Sequence, residues 1–263
     1  MLHSTRSWTL RTTVRAVVVM ALGVAAPAIR ADITGFNNGT DWTANNNGTG
    51  GPDFTTTMLT LTDNLVEARS AYFDTPQGIG SFNASFTYQA TQPGGIGLAD
   101  GTTFILQNES LNALGGVGSG LGVSGIMPSA EIEFNVYSGH TIGTAFEVNG
   151  ANSQIYMTTG PVNLASGDPI EVALSYNGSV LTETLTDLTT SATFSTSYTT
   201  DLVSVLGGGT AWVGFTGATG AGSSLQVVSD FSFTTAPEPS SLVLFGGTAV
   251  VALTAYGLRR RGR

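Results

Sequence analysis

The sequence predicts an all-β chain, one two-sheet antiparallel sandwich of the jelly-roll kind, flanked by two terminal segments of different character. Three observations carry this. Apolar and polar residues alternate with period 2 in several short stretches. Glycine, asparagine, serine and threonine fill the joints between those stretches. Between the two ends, no long apolar stripe recurs at helical spacing. Short strands with glycine-rich turns bury their apolar faces by stacking two sheets or closing a barrel.

In chain order, the first element is an address. Arg6, Arg11 and Arg15 precede an apolar run from Ala16 to Ala26, and Ala26-Pro27-Ala28 follows. A charged start, a short apolar stretch and a small-residue cleavage site predict a secretory signal peptide over 1–31; the run is too short to span a bilayer.

The sandwich is expected over 32–236. In Ser81–Tyr88, Phe82, Ala84, Phe86 and Tyr88 point one way and the residues between them the other. Glu171–Tyr176 alternates likewise and meets Asn177-Gly178, a strong hairpin signal. Near the end, Val227, Phe231 and Phe233 are expected to share a face. This alternation leaves one face of each sheet polar, and a concave polar face is expected to serve as a binding platform.

The last element spans 237–263. Pro237-Glu238-Pro239 leads into the apolar stretch Leu242–Leu258, followed by Arg259-Arg260-Arg261. That stretch is at the lower limit for a membrane-spanning helix, and the arginines belong on the cytoplasmic side. The order resembles the PEP-CTERM sorting signal of Gram-negative bacteria. The resemblance implies an exosortase-type enzyme as partner, a transient inner-membrane anchor, and delivery to the outer surface or the extracellular polymer matrix.

Composition removes several classes of function. Without cysteine there is no disulfide framework and no thiolate chemistry. Eight of the nine basic residues lie at the two ends, so the segment between them sets 17 acidic residues against Arg69, a net charge of −16. Nucleic-acid binding needs a positive patch and is excluded. The absence of lysine excludes a phosphate-cradling Walker loop, and His140 has no Gly-x-Ser-x-Gly partner for a hydrolytic triad.

An ordered series of motifs then resembles the legume (L-type) lectin family. It runs through Leu59–Thr62, Ala71-Tyr72-Phe73, Ser81–Tyr88, Ala99-Asp100-Gly101-Thr102-Thr103-Phe104, the glycine-rich Gly115–Gly125 and Ile132-Glu133-Phe134-Asn135-Val136. It ends with Asp201-Leu202, Ala211–Gly220 and Phe231-Ser232-Phe233. The resemblance implies carbohydrate binding, with a glycan or exopolysaccharide as partner, and no catalysis. It makes Asp100 the sugar-binding aspartate, preceded by a cis peptide. A glycine of 115–120, taken as Gly116, would donate its amide to the sugar. A loop over 217–223, with Gly217 and Gly220, would set monosaccharide choice, and Tyr137 would stack on a sugar face.

The family also implies a calcium ion and a transition metal beside the sugar, for which Glu133, Asn135 and His140 are the candidates. The pattern departs from the family here. Asn135 stands where a bridging aspartate belongs, Gly139 where a shared asparagine belongs, and no Asp-Pro precedes His140. Calcium is the one cofactor left open.

Local sequence alone reads these residues otherwise: Asp100-Gly101 as a turn pair, the glycines as plain loops, Tyr137 as an aromatic packed on its sheet. Two rival functions also stand. Glu131-Ile132-Glu133 could open a laminarinase-type hydrolase motif with Glu131 as nucleophile, but the second glutamate would fall at Val136. The other rival is a structural surface or matrix sandwich that binds no sugar.

Overall fold

The computed structural model describes residues 32–48, 50–63, 66–92 and 97–235. The expected signal peptide and sorting signal lie outside the described residues. Strands β1 (Ile33–Thr34), β2 (Trp42–Asn46), β3 (Asp53–Phe54), β4 (Met58–Thr62), β5 (Ala68–Phe73) and β6 (Gln77–Gly78) come first. Next are β7 (Phe82–Thr91), β8 (Gly101–Gln107), β9 (Ser129–Asn135), β10 (Gly143–Val148) and β11 (Met157–Thr158). The chain continues through β12 (Ile170–Tyr176), β13 (Val180–Asp187), β14 (Thr193–Thr199), β15 (Thr210–Ala218) and β16 (Leu225–Thr235). The one α-helix among the described residues, α1 (Leu202–Leu206), starts on an Asp201 side-chain cap.

The strands form two antiparallel sheets. The back sheet runs β14-β13-β12-β7-β16-β4-β3, with β1 added beside β16, and the front sheet runs β11-β10-β9-β8-β15-β5-β2, with β6 added beside β15. Strand β7 buries Phe82, Ala84, Phe86, Tyr88 and Ala90 and turns the residues between them outward, as the alternation requires. The β12–β13 hairpin closes at Asn177-Gly178, where the Asn177 side chain accepts the amides of Ser179 and Val180. At the centre of the interior, Phe86 and Phe231 from the back sheet meet Phe215 from the front sheet edge-to-face, each with ring centroids 5.0 Å apart. That geometry suits the quadrupoles of aromatic rings.

Two expectations need correction. Val227 does not share a face with Phe231 and Phe233: Val228 is buried with them and Val227 is only half-buried. The pairing of β16 with β7 shifts register between Ser229 and Ser232, with Asp230 at φ 54°, and this bulge resets the side-chain parity. Nor is the outer face of the front sheet an open polar platform. Strands β8 and β9 are buried on both faces, and Tyr72, Ile105, Leu121, Val123, Ile126 and Tyr156 form a second, smaller core outside the sheet. Segment 109–128 contributes much of that cover.

Candidate functional site

Asp100 stands one residue before β8, after a cis Ala99–Asp100 peptide. Its N–H donates to the Ala218 carbonyl at 3.0 Å and its own carbonyl accepts from Val136 N–H at 3.0 Å, so its main chain is held between the ends of β15 and β9. The Asp-Gly pair is therefore not a turn. A Cβ on Gly101 would lie 2.2 Å from the Phe134 carbonyl oxygen, and glycine is what lets β8 run this close to β9.

Two loops converge on the Asp100 carboxylate. A Cβ on Gly220 would stand 3.1 Å from Asp100 Oδ2, and one on Gly118 would stand 3.8 Å from it. The loops are tied together, since Gly118 N–H donates to the Thr219 carbonyl at 3.0 Å. Asp100 is only 6% exposed, and its Oδ2 is buried without a hydrogen-bond partner among the described residues. Burial pushes the carboxyl pKa up to about 6, against the lowering influence of His140 and a backbone hydrogen bond from Gly220.

Each loop has its own support. The Asn152 amide donates to the Ser119 carbonyl, and the Gln154 amide donates to the Ser119 hydroxyl at 3.2 Å. On the other side, Val66 N–H donates to the Gly220 carbonyl at 3.2 Å. Sequence reasoning missed both supports, because Asn152, Gln154 and Val66 belong to no motif and meet these loops only in the folded chain.

The remaining candidates divide. The Gly116 carbonyl accepts from Gly122 N–H within the 115–125 loop, and Gly118 is a glycine of that loop that stands near the Asp100 carboxylate. Gly217 is not in a loop. The β15 ladder continues through Ala218, so Gly217 is a strand residue packed against Leu61 and Thr102 between the sheets, and the loop starts at Thr219. Gly220 lies where expected. Tyr137 is 40% exposed, its ring folded over Gly139 and edge-on to His140 at 5.8 Å between centroids.

The metal candidates do not make a metal site. The Asn135 amide donates to the Tyr137 and Thr141 carbonyls at 3.0 and 2.9 Å, and its oxygen accepts from Tyr137 N–H at 3.3 Å. This side chain organises the loop after β9. Glu133 is fully buried, and its two oxygens have no partner of good geometry among the described residues. Burial first, then the nearby charges of Glu131 and Glu147, push its pKa up to about 8, against a lowering contribution from Tyr156. Among the described residues, no three His, Cys, Asp or Glu side chains are grouped to hold a metal ion. The residues present do not fit the calcium and transition-metal pair.

The hydrolase motif fails on access. Glu131 is 1% exposed, with Gly150 N–H donating to its Oε1 at 2.9 Å, and a polymer cannot reach it. A hollow of about 250 Å³ lies on the back sheet's outer face among Ser85, Ala173, Thr182, Thr184 and Ser232. It holds no titratable group and plays no part in the site around Asp100.

Comparison with known proteins places this architecture. The family described as the legume lectin domain matches residues 65–243. Among solved structures, the lectin from Bauhinia forficata in complex with GalNAc is 18% identical, with a TM-score of 0.66 over 79% of this chain and 98% of that one. The basic winged bean lectin with Tn-antigen is 19% identical, with the same TM-score and coverage. Arcelin-5 from Phaseolus vulgaris, a lectin-like defense protein, is 17% identical, with a TM-score of 0.60 over 80% of this chain and 100% of that one. At these identities the structures establish the fold.

Proposed function

This chain belongs to the legume lectin domain family, and from that premise we propose that it binds carbohydrate through Asp100, without catalysis and without a resident metal. One observation carries the reading: a carboxylate buried between two glycine-bearing loops, with its Oδ2 unpaired among the described residues. An acceptor left short of a donor in a buried place is costly, and vicinal sugar hydroxyls are donors of the right kind. The two glycines leave room beside the carboxylate that any larger side chain would fill. With the Asn135 amide engaged by its own loop and no three His, Cys, Asp or Glu side chains grouped among the described residues, the site is held by packing and hydrogen bonds.

Export completes the proposal. The segments 1–31 and 237–263 read as a signal peptide and a PEP-CTERM sorting signal, so the domain would work at the outer surface or in the polymer matrix, after handling by an exosortase-type enzyme. Galactose and N-acetylgalactosamine are the first probes, since such sugars are named with the similar lectins. Glycan-array binding by the purified protein should survive EDTA and weaken about 100-fold or more in Asp100→Ala, the scale of a lost charge-assisted contact plus its stranded partners. Loss of binding in EDTA would restore the metal. A folded protein that retains no glycan would leave the second reading, a structural sandwich. That reading is favoured by one observation, the Gly118 amide already being bonded to Thr219.

A further inference from the structure

We propose that Arg69 is a positioning residue for the sugar site, holding the 219–220 loop in place through Glu67; the inference rests on the Asp100 reading above. Arg69 is the only basic residue between Asp32 and Ala236, and it is 2% exposed. A lone cation among 17 acids would lower the net charge equally well from the surface, so its burial calls for a local reason.

The contacts supply that reason. Arg69 Nη2 lies 2.8 Å from Asp63 Oδ1 and 2.8 Å from Glu67 Oε2. The other Glu67 oxygen accepts Asp63 N–H at 2.7 Å. Arg69, Asp63 and Glu67 thus tie the end of β4 to the segment 66–67 that leads into β5. The main chain of that segment in turn holds the loop beside Asp100. Glu67 N–H donates to Thr219 Oγ1 at 3.2 Å, and the Glu67 carbonyl accepts Thr219 N–H at 2.9 Å. The Val66 amide adds its bond to the Gly220 carbonyl at 3.2 Å. Thr219 then accepts from Gly118, so one ion pair fixes both loops that meet at the carboxylate. The guanidinium never touches the sugar; it sets where Gly220 stands.

This is a use for which a buried ion pair suits better than an apolar pair. Its contribution to stability is small or negative, but it defines one geometry, and burial protects it from salt.

The test compares Arg69→Lys, which keeps the charge but carries it on a shorter side chain whose one nitrogen must replace Nη2, with Glu67→Gln, which keeps the shape and loses the charge. Arg69→Ala is unsuitable because it strands the Glu67 carboxylate and is expected to unfold the domain. Amide hydrogen exchange of the full chain is followed without any sugar. Exchange at Thr219 and Gly118 should speed up about ten-fold or more in both variants, while amides of β12 and β13 keep their rates. Unchanged rates at Thr219, or equal acceleration through the back sheet, would overturn the proposal; the latter would make the pair a general stabiliser. A second arm measures Kd for galactose and N-acetylgalactosamine, which should rise about ten-fold in both variants. Sugar binding absent from wild type, with the exchange pattern intact, would remove the carbohydrate reading and leave Arg69 as the residue that sets the loop.

Discussion

The space between the two sheets and the outer face of the front sheet are both buried, yet they are built on opposite rules. Between the sheets, Phe86, Phe104, Phe215 and Phe231 pack ring against ring, with aliphatic residues around them. Outside the front sheet, Tyr72, Ile105 and Leu121 share their layer with Glu131, Glu133, Asp100 and Thr103, each carrying a buried oxygen without a partner among the described residues. The first region is held mainly by apolar and ring contacts. The second retains unmet polar groups at a cost in stability, and such groups mark where a protein does something besides fold.

The largest effect should come from the filled region. Phe86 touches Phe104, Phe134 and Phe215, so Phe86→Ala should destabilise the domain by about 3–5 kcal/mol through lost transfer energy and the cavity left behind. Denaturant unfolding measures it. A loss under about 1 kcal/mol would mean that the interior collapses freely and that the contrast between the regions is false.

One carboxyl breaks the rule and sharpens the comparison. Glu183 is fully buried between the sheets, its Oε2 accepting from Tyr198 at 3.0 Å in the back sheet and from Thr144 at 3.2 Å in the front sheet. Burial raises its pKa to about 7. Because the folded value lies above the unfolded one, its favourable contribution is complete below about pH 4.5 and is lost as pH climbs through about 7. Glu183→Gln should therefore match wild type near pH 4 and exceed it at pH 8, by at most roughly 3 kcal/mol. Stability curves that stay parallel from pH 4 to 8 would show that this carboxyl is ionised in the fold. Glu131 and Glu133, raised to about 7 and about 8, push the domain's stability in the same direction.

The two regions also differed in how far the sequence revealed them. The inner faces of β7 and β12 follow from period 2 alone, because each strand has one buried and one exposed side. Val228 escaped that logic, since the bulge at Asp230 inserts a residue that composition does not announce. The outer face of the front sheet escaped it altogether, as β8 and β9 pack one face into the core between the sheets and have the other covered by loops from 109–128 and 149–156. Asp100 was legible through motif order. That Gly118 stands near the carboxylate was not, because neighbouring glycines are alike in sequence and differ only in where the folded loop puts them. Arg69 was visible as a lone cation, but its partners depend on how β4, β5 and β15 assemble.

The smallest effect tests the border between the regions, at Tyr137. It follows β9 where the buried polar layer opens to solvent, with its ring over Gly139 and its edge toward His140. Its amide is held by Asn135, so the backbone does not depend on the ring. A half-exposed aromatic ring one residue after Val136, whose amide holds the Asp100 carbonyl, suits the apolar side of a sugar ring, whereas a ring that merely covers its own loop suits no ligand. Tyr137→Ala should therefore weaken sugar binding by about 1 kcal/mol, five- to ten-fold in Kd, and change unfolding stability by less than about 0.5 kcal/mol. Tyr137→Phe keeps the face and should keep the affinity. If Tyr137→Ala instead lowers stability and leaves Kd alone, the ring belongs to the packed cover of the front sheet, and the binding region ends at Asp100 and Gly220.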